Sequence, residues 1–132
     1  MSERTVLGTS INPTPTITLE AGADLTKMRY RALAVNGGKL VAPTAGANVI
    51  GIAIGETDET VKAGEDVDVQ IKDIGKWEAG EAIAIGDELA TDASGKAVKA
   101  KTGNFIVGVA VSAASAAGTL VKVQVAKMGY KA

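Results

Sequence analysis

One apolar stretch occurs twice in this chain. Val49-Ile50-Gly51-Ile52-Ala53-Ile54 returns as Ile106-Val107-Gly108-Val109-Ala110-Val111, with a single glycine at the same place in each copy. A β-branched run this short, bounded by turn residues, reads as a strand buried on both faces. A glycine inside such a strand marks a bulge, a bend or a place where another backbone comes very close.

The correspondence extends outward on both sides of the runs. Gly38-Lys39-Leu40-Val41 answers Gly95-Lys96-Ala97-Val98, and Gly46 answers Gly103. Ala63-Gly64 and the alternating segment through Ile71 answer Ala117-Gly118 and the segment through Val125. Further back, Ala21-Gly22-Ala23-Asp24-Leu25 pairs with Ala79-Gly80-Glu81-Ala82-Ile83, and Leu33-Ala34 pairs with Leu89-Ala90. Residues 16–71 and 74–125 are therefore two copies of one small β unit. A unit of this size cannot bury its own apolar face, so the expected fold is all-β: a pseudo-symmetric barrel or sandwich over residues 16–125, with an extended arm at 1–15 and a short tail at 126–132.

The composition agrees with that reading and removes many functions. Hydrophobic residues make up 46% of the chain but aromatics only 3%, so the core is built from Val, Ile, Leu and Ala. Sixteen glycines among alternating Val, Ile and Thr runs fit many short strands and tight turns. There is no cysteine and no histidine. Disulfide frameworks, thiolate nucleophiles, cysteine or histidine zinc sites and histidine-based triads are excluded. No glycine-rich loop carries a Lys-Ser or Lys-Thr at phosphate-binding spacing. No apolar run reaches the length of a membrane helix and the first ten residues lack signal-peptide architecture, so a protein soluble where it is made is expected, with no membrane partner.

Charge is segregated along the chain. Residues 56–92 carry 12 acidic and 3 basic side chains, whereas residues 93–132 carry 6 lysines and no acid. Such runs usually form differently solvated faces of one body. The sharper reading is that an acidic face of one subunit meets a basic face of the next around a ring.

The coarse chain order follows. Strands are expected at 16–20, 29–35, 39–42, 49–54 and 67–74 in the first copy, and at 82–85, 88–91, 96–101, 105–111 and 121–125 in the second. Asn36-Gly37-Gly38 and Asp92-Ala93-Ser94-Gly95 supply the hairpin turns. In the arm, Pro13 and Pro15 favour an extended course. Val6, Leu7, Ile11, Pro13, Pro15 and Ile17 are then candidate partner contacts.

Each chemical motif has a plainer reading beside it. Glu56, Asp58 and Glu59 lack the ligand spacing of a calcium loop, so a solvated loop is the better reading and no metal site is expected. Asp66 and Asp68 share a strand face by alternation alone. Lys99, Lys101, Lys122 and Lys127 have no interleaved stacking aromatics, which argues against nucleic acid. Trp77, the single tryptophan, is either a core plug or an interface anchor. A biotinyl or lipoyl carrier domain is also a doubled β unit, but Ala126-Lys127-Met128 lies at the chain end and Lys72 and Lys76 lack flanking methionines. No cofactor and no enzymatic activity are expected.

Taken in order and spacing, the motifs named above, with Ala63-Gly64-Glu65-Asp66-Val67-Asp68-Val69 and Gly86-Asp87-Glu88-Leu89-Ala90-Thr91-Asp92, resemble the capsid cement, or head decoration, proteins of tailed bacteriophages. That resemblance implies a structural protein that binds the outer surface of a phage head, commonly as a homotrimer, with the major capsid protein as partner. A virion-surface adhesion or glycan-binding module is the alternative; it needs an exposed platform among Trp77, Tyr30, Tyr130 and Phe105.

Overall fold

The computed structural model describes residues 12–55 and 60–132. Ten strands follow one another without a helix among the described residues: β1 Thr16–Glu20, β2 Ala32–Asn36, β3 Lys39–Val41, β4 Gly51–Ala53, β5 Asp66–Gln70, β6 Asp73–Glu78, β7 Glu88–Thr91, β8 Ala97–Lys99, β9 Phe105–Ala110 and β10 Leu120–Tyr130. They form two open five-stranded sheets, ordered β1-β5-β4-β2-β3 and β6-β10-β9-β7-β8, with every strand pair antiparallel. The second order is the first with five added to each label, so each sequence repeat folds into its own sheet. The result is a sandwich of two repeats, not a closed barrel.

The repetition reaches individual hydrogen bonds. Gly22 N–H donates to Leu40 O at 2.8 Å, and Gly80 N–H to Ala97 O at 2.7 Å. The Leu25–Val61 bridge of the first copy recurs as the Ile83–Ala114 bridge of the second. The paired glycines have one shared reason. A Cβ on Gly51 would land on the carbonyl oxygen of Gln70, and one on Gly108 on that of Gln124. In both copies the central strand needs a residue without a side chain because its neighbour crosses at backbone contact distance.

Two apolar clusters dominate the interior. One lies within the first sheet: Ala21, Leu25, Leu33, Leu40, Ala53, Val67 and Val69. The other holds the counterparts of all seven, namely Ala79, Ile83, Leu89, Ala97, Ala110, Val121 and Val123. It also contains Trp77, and Ala32, Val49 and Ile52 reach into it from the first copy. Ala32 and Ile52 lie directly opposite each other on β2 and β4, with Gln70 next in the row. That row is the face by which the first sheet sits on the second.

Several expected elements take other bounds. The strand expected at 82–85 is only the isolated bridge of Ile83 to Ala114, and β6 at Asp73–Glu78 is not among the expected strands. The runs at 49–54 and 96–101 shorten to β4 and β8. The run at 67–74 breaks after Gln70, because Asp73 adopts a left-handed φ of 67° and the Gln70 side chain donates to Lys72 O at 2.8 Å; there the chain passes between sheets. The expected strand at 29–35 begins only at Ala32, since Tyr30 has a φ of 60° and Arg31 N–H closes a turn on Met28 O. Residues 126–130, without clear periodicity in the sequence, continue β10 past a register shift between Val125 and Gly129.

Candidate functional site

The arm's candidate contacts divide between described and undescribed residues. Val6, Leu7 and Ile11 lie outside the described residues, as do Glu56, Asp58 and Glu59. From Asn12 onward the chain is tied to the junction between the repeats. Asn12 Nδ2 donates to Ile74 O at 3.2 Å, and Ile74 N–H donates to Asn12 Oδ1 at 2.9 Å. This reciprocal pair copies the two bonds a neighbouring strand would make to the outer edge of β6. Thr14 N–H donates to Asp73 Oδ2 at 3.1 Å, and Ile71 N–H donates to Pro15 O at 3.0 Å. Pro13 is exposed, Pro15 is half-buried, and Ile17 is half-buried against the first-sheet cluster. The arm's root is thus fixed to its own subunit.

Trp77 takes the core role of the two the sequence allows. It is 0% exposed, and its Nε1–H donates to Gly95 O at 2.8 Å. Phe105 is also buried, whereas Tyr130 is 66% exposed and meets Phe105 edge-on at 5.1 Å between ring centroids. Tyr30 is half-buried beneath the Arg29 guanidinium, 4.9 Å from its ring centroid. Tyr130 is therefore the one well-exposed ring of the four. Sequence reasoning missed the Phe105–Tyr130 pair because the irregular stretch between Val125 and Gly129 hides the alternation that would have extended β10.

Much of the linear charge asymmetry is neutralised inside one chain. Glu78 takes Arg31 at 3.2 Å and Lys96 at 3.5 Å, and Lys131 reaches Glu88 at 2.6 Å. Asp66 and Asp68 are exposed, and Asp68 Oδ1 accepts the Thr18 hydroxyl at 2.5 Å. Among the described residues no three acidic side chains converge into a metal-binding group, and no helix is long and apolar enough to cross a membrane. Two hollows among the described residues are small. An apolar one of about 40 Å³ lies among Leu25, Met28, Ala53, Val61 and Val67, and an open cleft of about 250 Å³ is lined by Glu81, Asp92, Lys99, Lys101 and Asn104. Both fall below the roughly 300–1,000 Å³ of ordinary small-molecule sites.

The fold recurs in a known virion component. The chain is similar to the structure described as the head fiber gp8.5 N base in bacteriophage phi29, with a TM-score of 0.67 and 22% sequence identity over 89% of this chain and 98% of that one. No curated protein matches the chain. The family described as phage cement protein matches residues 12–125, and the chain belongs to that family.

Proposed function

We propose that this chain decorates the outer surface of an assembled phage head as a homotrimer and stabilises the shell by bridging neighbouring subunits of the major capsid protein. Membership of the cement family carries the reading, since it gives a capsid-associated structural role. A sandwich without cysteine or histidine, whose two hollows described above are small, suits mechanical work. Each contact to the shell can be weak, because an oligomer touching several subunits gains by multivalency. Binding only the mature lattice then stabilises that lattice by mass action.

The arm is the proposed shell contact. Its root at Asn12, Thr14 and Pro15 is held on the repeat junction, and the proposed contacts Val6, Leu7 and Ile11 precede that root in the chain. An extended segment of this kind adds to a sheet edge through main-chain hydrogen bonds. The protein is made in the host cytoplasm and resides on the virion exterior. The glycan-binding alternative has only Tyr130 as an open ring, which is less than the platform such modules use.

Co-sedimentation with heads tests the proposal. The purified protein is expected to pellet with expanded heads and not with precursor heads, and removal of residues 1–15 is expected to leave a folded domain that pellets poorly. Equal binding to both head forms, or full occupancy by the truncated chain, would refute the respective part.

A further inference from the structure

The repeat relates two surfaces of opposite charge. On the first sheet, Glu20 on β1 stands directly opposite Asp66 on β5, and Thr18 opposite Asp68. The repeat carries Thr18 to Lys76 and Asp68 to Lys122, which stand directly opposite each other on β6 and β10. One copy therefore presents a carboxylate pair and the other an ammonium pair on equivalent strands. Like charges placed directly across a ladder destabilise the sheet that holds them.

Neither lysine has an ion-pair partner among the described residues, and Asp66 has none. Glu20 has only an exposed contact to Lys39 at 3.7 Å. All five charged side chains are exposed. The lysine surface is also apolar: Ile74, Val111 and Leu120, exposed by 42%, 39% and 41%, flank Lys76 and Lys122. Ile74 and Leu120 alternate with the lysines along β6 and β10, and Val111 N–H donates to Lys122 O. On the first sheet the row Ala32, Ile52 and Gln70 is buried against the second copy, whereas in its counterpart Glu88 and Val109 are half-buried and Gln124 and Ile74 are exposed.

We infer that the Lys76–Lys122 surface of one subunit docks on the Glu20, Asp66 and Asp68 surface of a second copy of this chain. Bringing the two like-charge pairs together removes both repulsions at once and covers Ile74 and Leu120. The contact is heterologous, since two different patches meet, so successive copies close into a ring if the rotation between them allows it. The inference rests on the reading of the chain as a self-assembling decoration protein and supplies the surface for it.

The test is sedimentation velocity on the full chain and two charge-reversed variants, Lys76→Glu/Lys122→Glu and Asp66→Lys/Asp68→Lys. The first variant keeps a like-charge pair across β6 and β10, so its folding stability should match the parent while the sign of its surface is inverted. The parent is expected to self-associate at low ionic strength and to weaken at least tenfold between roughly 0.05 and 0.5 M salt, as the screening length shortens. Each variant alone is expected to be monomeric. An equimolar mixture is expected to regain the contact as heterodimers, since like variants repel and an odd-membered ring of alternating variants cannot close. A monomeric parent, variants that associate as the parent does, or a mixture that stays monomeric would each overturn the inference. Head binding is read separately: a monomer that still pellets with expanded heads removes this interface and leaves the capsid reading standing.

Discussion

Four positions related by the internal repeat are half-exposed in the first sheet and buried in the second: Leu19 against Trp77, Ile50 against Val107, Val61 against Ala114 and Ile71 against Val125. The strand order is the same in both copies and the same seven positions form the centre of each core, five of them with the same residue, so the difference does not lie in the topology of the unit. It lies in what covers the unit. Ala32, Val49 and Ile52 of the first copy roof the second. Their counterparts Glu88, Ile106 and Val109 give nothing back, and Ile106 instead joins Ala90 and Ala100 in a small cluster of its own. The copies are stacked in one direction, and only the second has both a floor and a roof. A repeated sequence thus fixes a repeated topology while leaving the burial of each copy to its place in the stack.

Truncating the plug of each copy breaks that comparison most sharply. Trp77→Ala removes the largest side chain of the roofed core and its bond to Gly95 O, although Ala32 N–H still serves that carbonyl at 2.8 Å. The expected loss is about 3–5 kcal/mol in urea unfolding, the usual range for a buried aromatic. Leu19→Ala, at the same place in the half-covered copy, is expected to cost about 1–2 kcal/mol, because part of its surface already faces water. Equal losses would mean that the two interiors are alike after all.

The paired glycines are expected to behave alike. Gly108→Ala and Gly51→Ala each set a methyl group on a backbone carbonyl of the neighbouring strand, and no rotamer change relieves that. Each should cost about 3 kcal/mol, at the upper end of overpacking effects, with the two values within about 1 kcal/mol of each other. A Gly51→Ala variant as stable as the parent would show that the first sheet can open where the second cannot.

The hairpin glycines Gly38 and Gly95 sharpen the contrast at the seam. Both have a left-handed φ, 79° and 82°. A Cβ at Gly38 meets nothing within 4 Å, but one at Gly95 lies 2.7 Å from Ala32 O and 3.1 Å from Arg31 Cβ. Gly38→Ala should therefore cost about 1 kcal/mol for the backbone alone, and Gly95→Ala about 2–3 kcal/mol for backbone and clash together, read from the same unfolding midpoints.

Much of this was legible in the sequence. Local patterning carried the repeat, and with it the all-β class and most of the strands, because each repeated motif keeps its own turn and its own pairing partner. β6 was not among the expected strands, and the strand expected at 82–85 is only a bridge at Ile83. The close backbone approach at Gly51 and Gly108 was one of three readings the sequence allowed. The direction of stacking was not read from the sequence, although Glu88 standing where the first copy has Ala32 marks the more polar of the two faces. Ile52 and Val109 look alike and acquire their different roles only from contacts distant in the chain. The breaks at Tyr30 and Asp73 were missed because non-glycine residues adopt a left-handed φ there. The tie between Asn12 and Ile74 joins residues with no periodic signal at either end.

The smallest effect concerns one ion pair that occurs twice. Glu20–Lys39 at 3.7 Å and Glu78–Lys96 at 3.5 Å occupy equivalent places in the two copies. The first has side chains 51% and 46% exposed, whereas Glu78 is 21% exposed and also holds Arg31 of the other copy at 3.2 Å. An exposed pair is screened by solvent and is worth only about 0.2–1 kcal/mol. Glu20→Gln is therefore expected to change stability by less than about 0.3 kcal/mol. Glu78→Gln leaves two half-covered cations to share one neutral amide, and is expected to cost about 1 kcal/mol, above most solvent-exposed pairs. Adding salt should narrow the gap only slightly, because the seam is less open to counterions than the outer pair. Identical responses of the two variants would mean that the first copy's cover over β6 and β8 contributes no electrostatic shielding, and that Arg31 lies beside Glu78 without stabilising the stack.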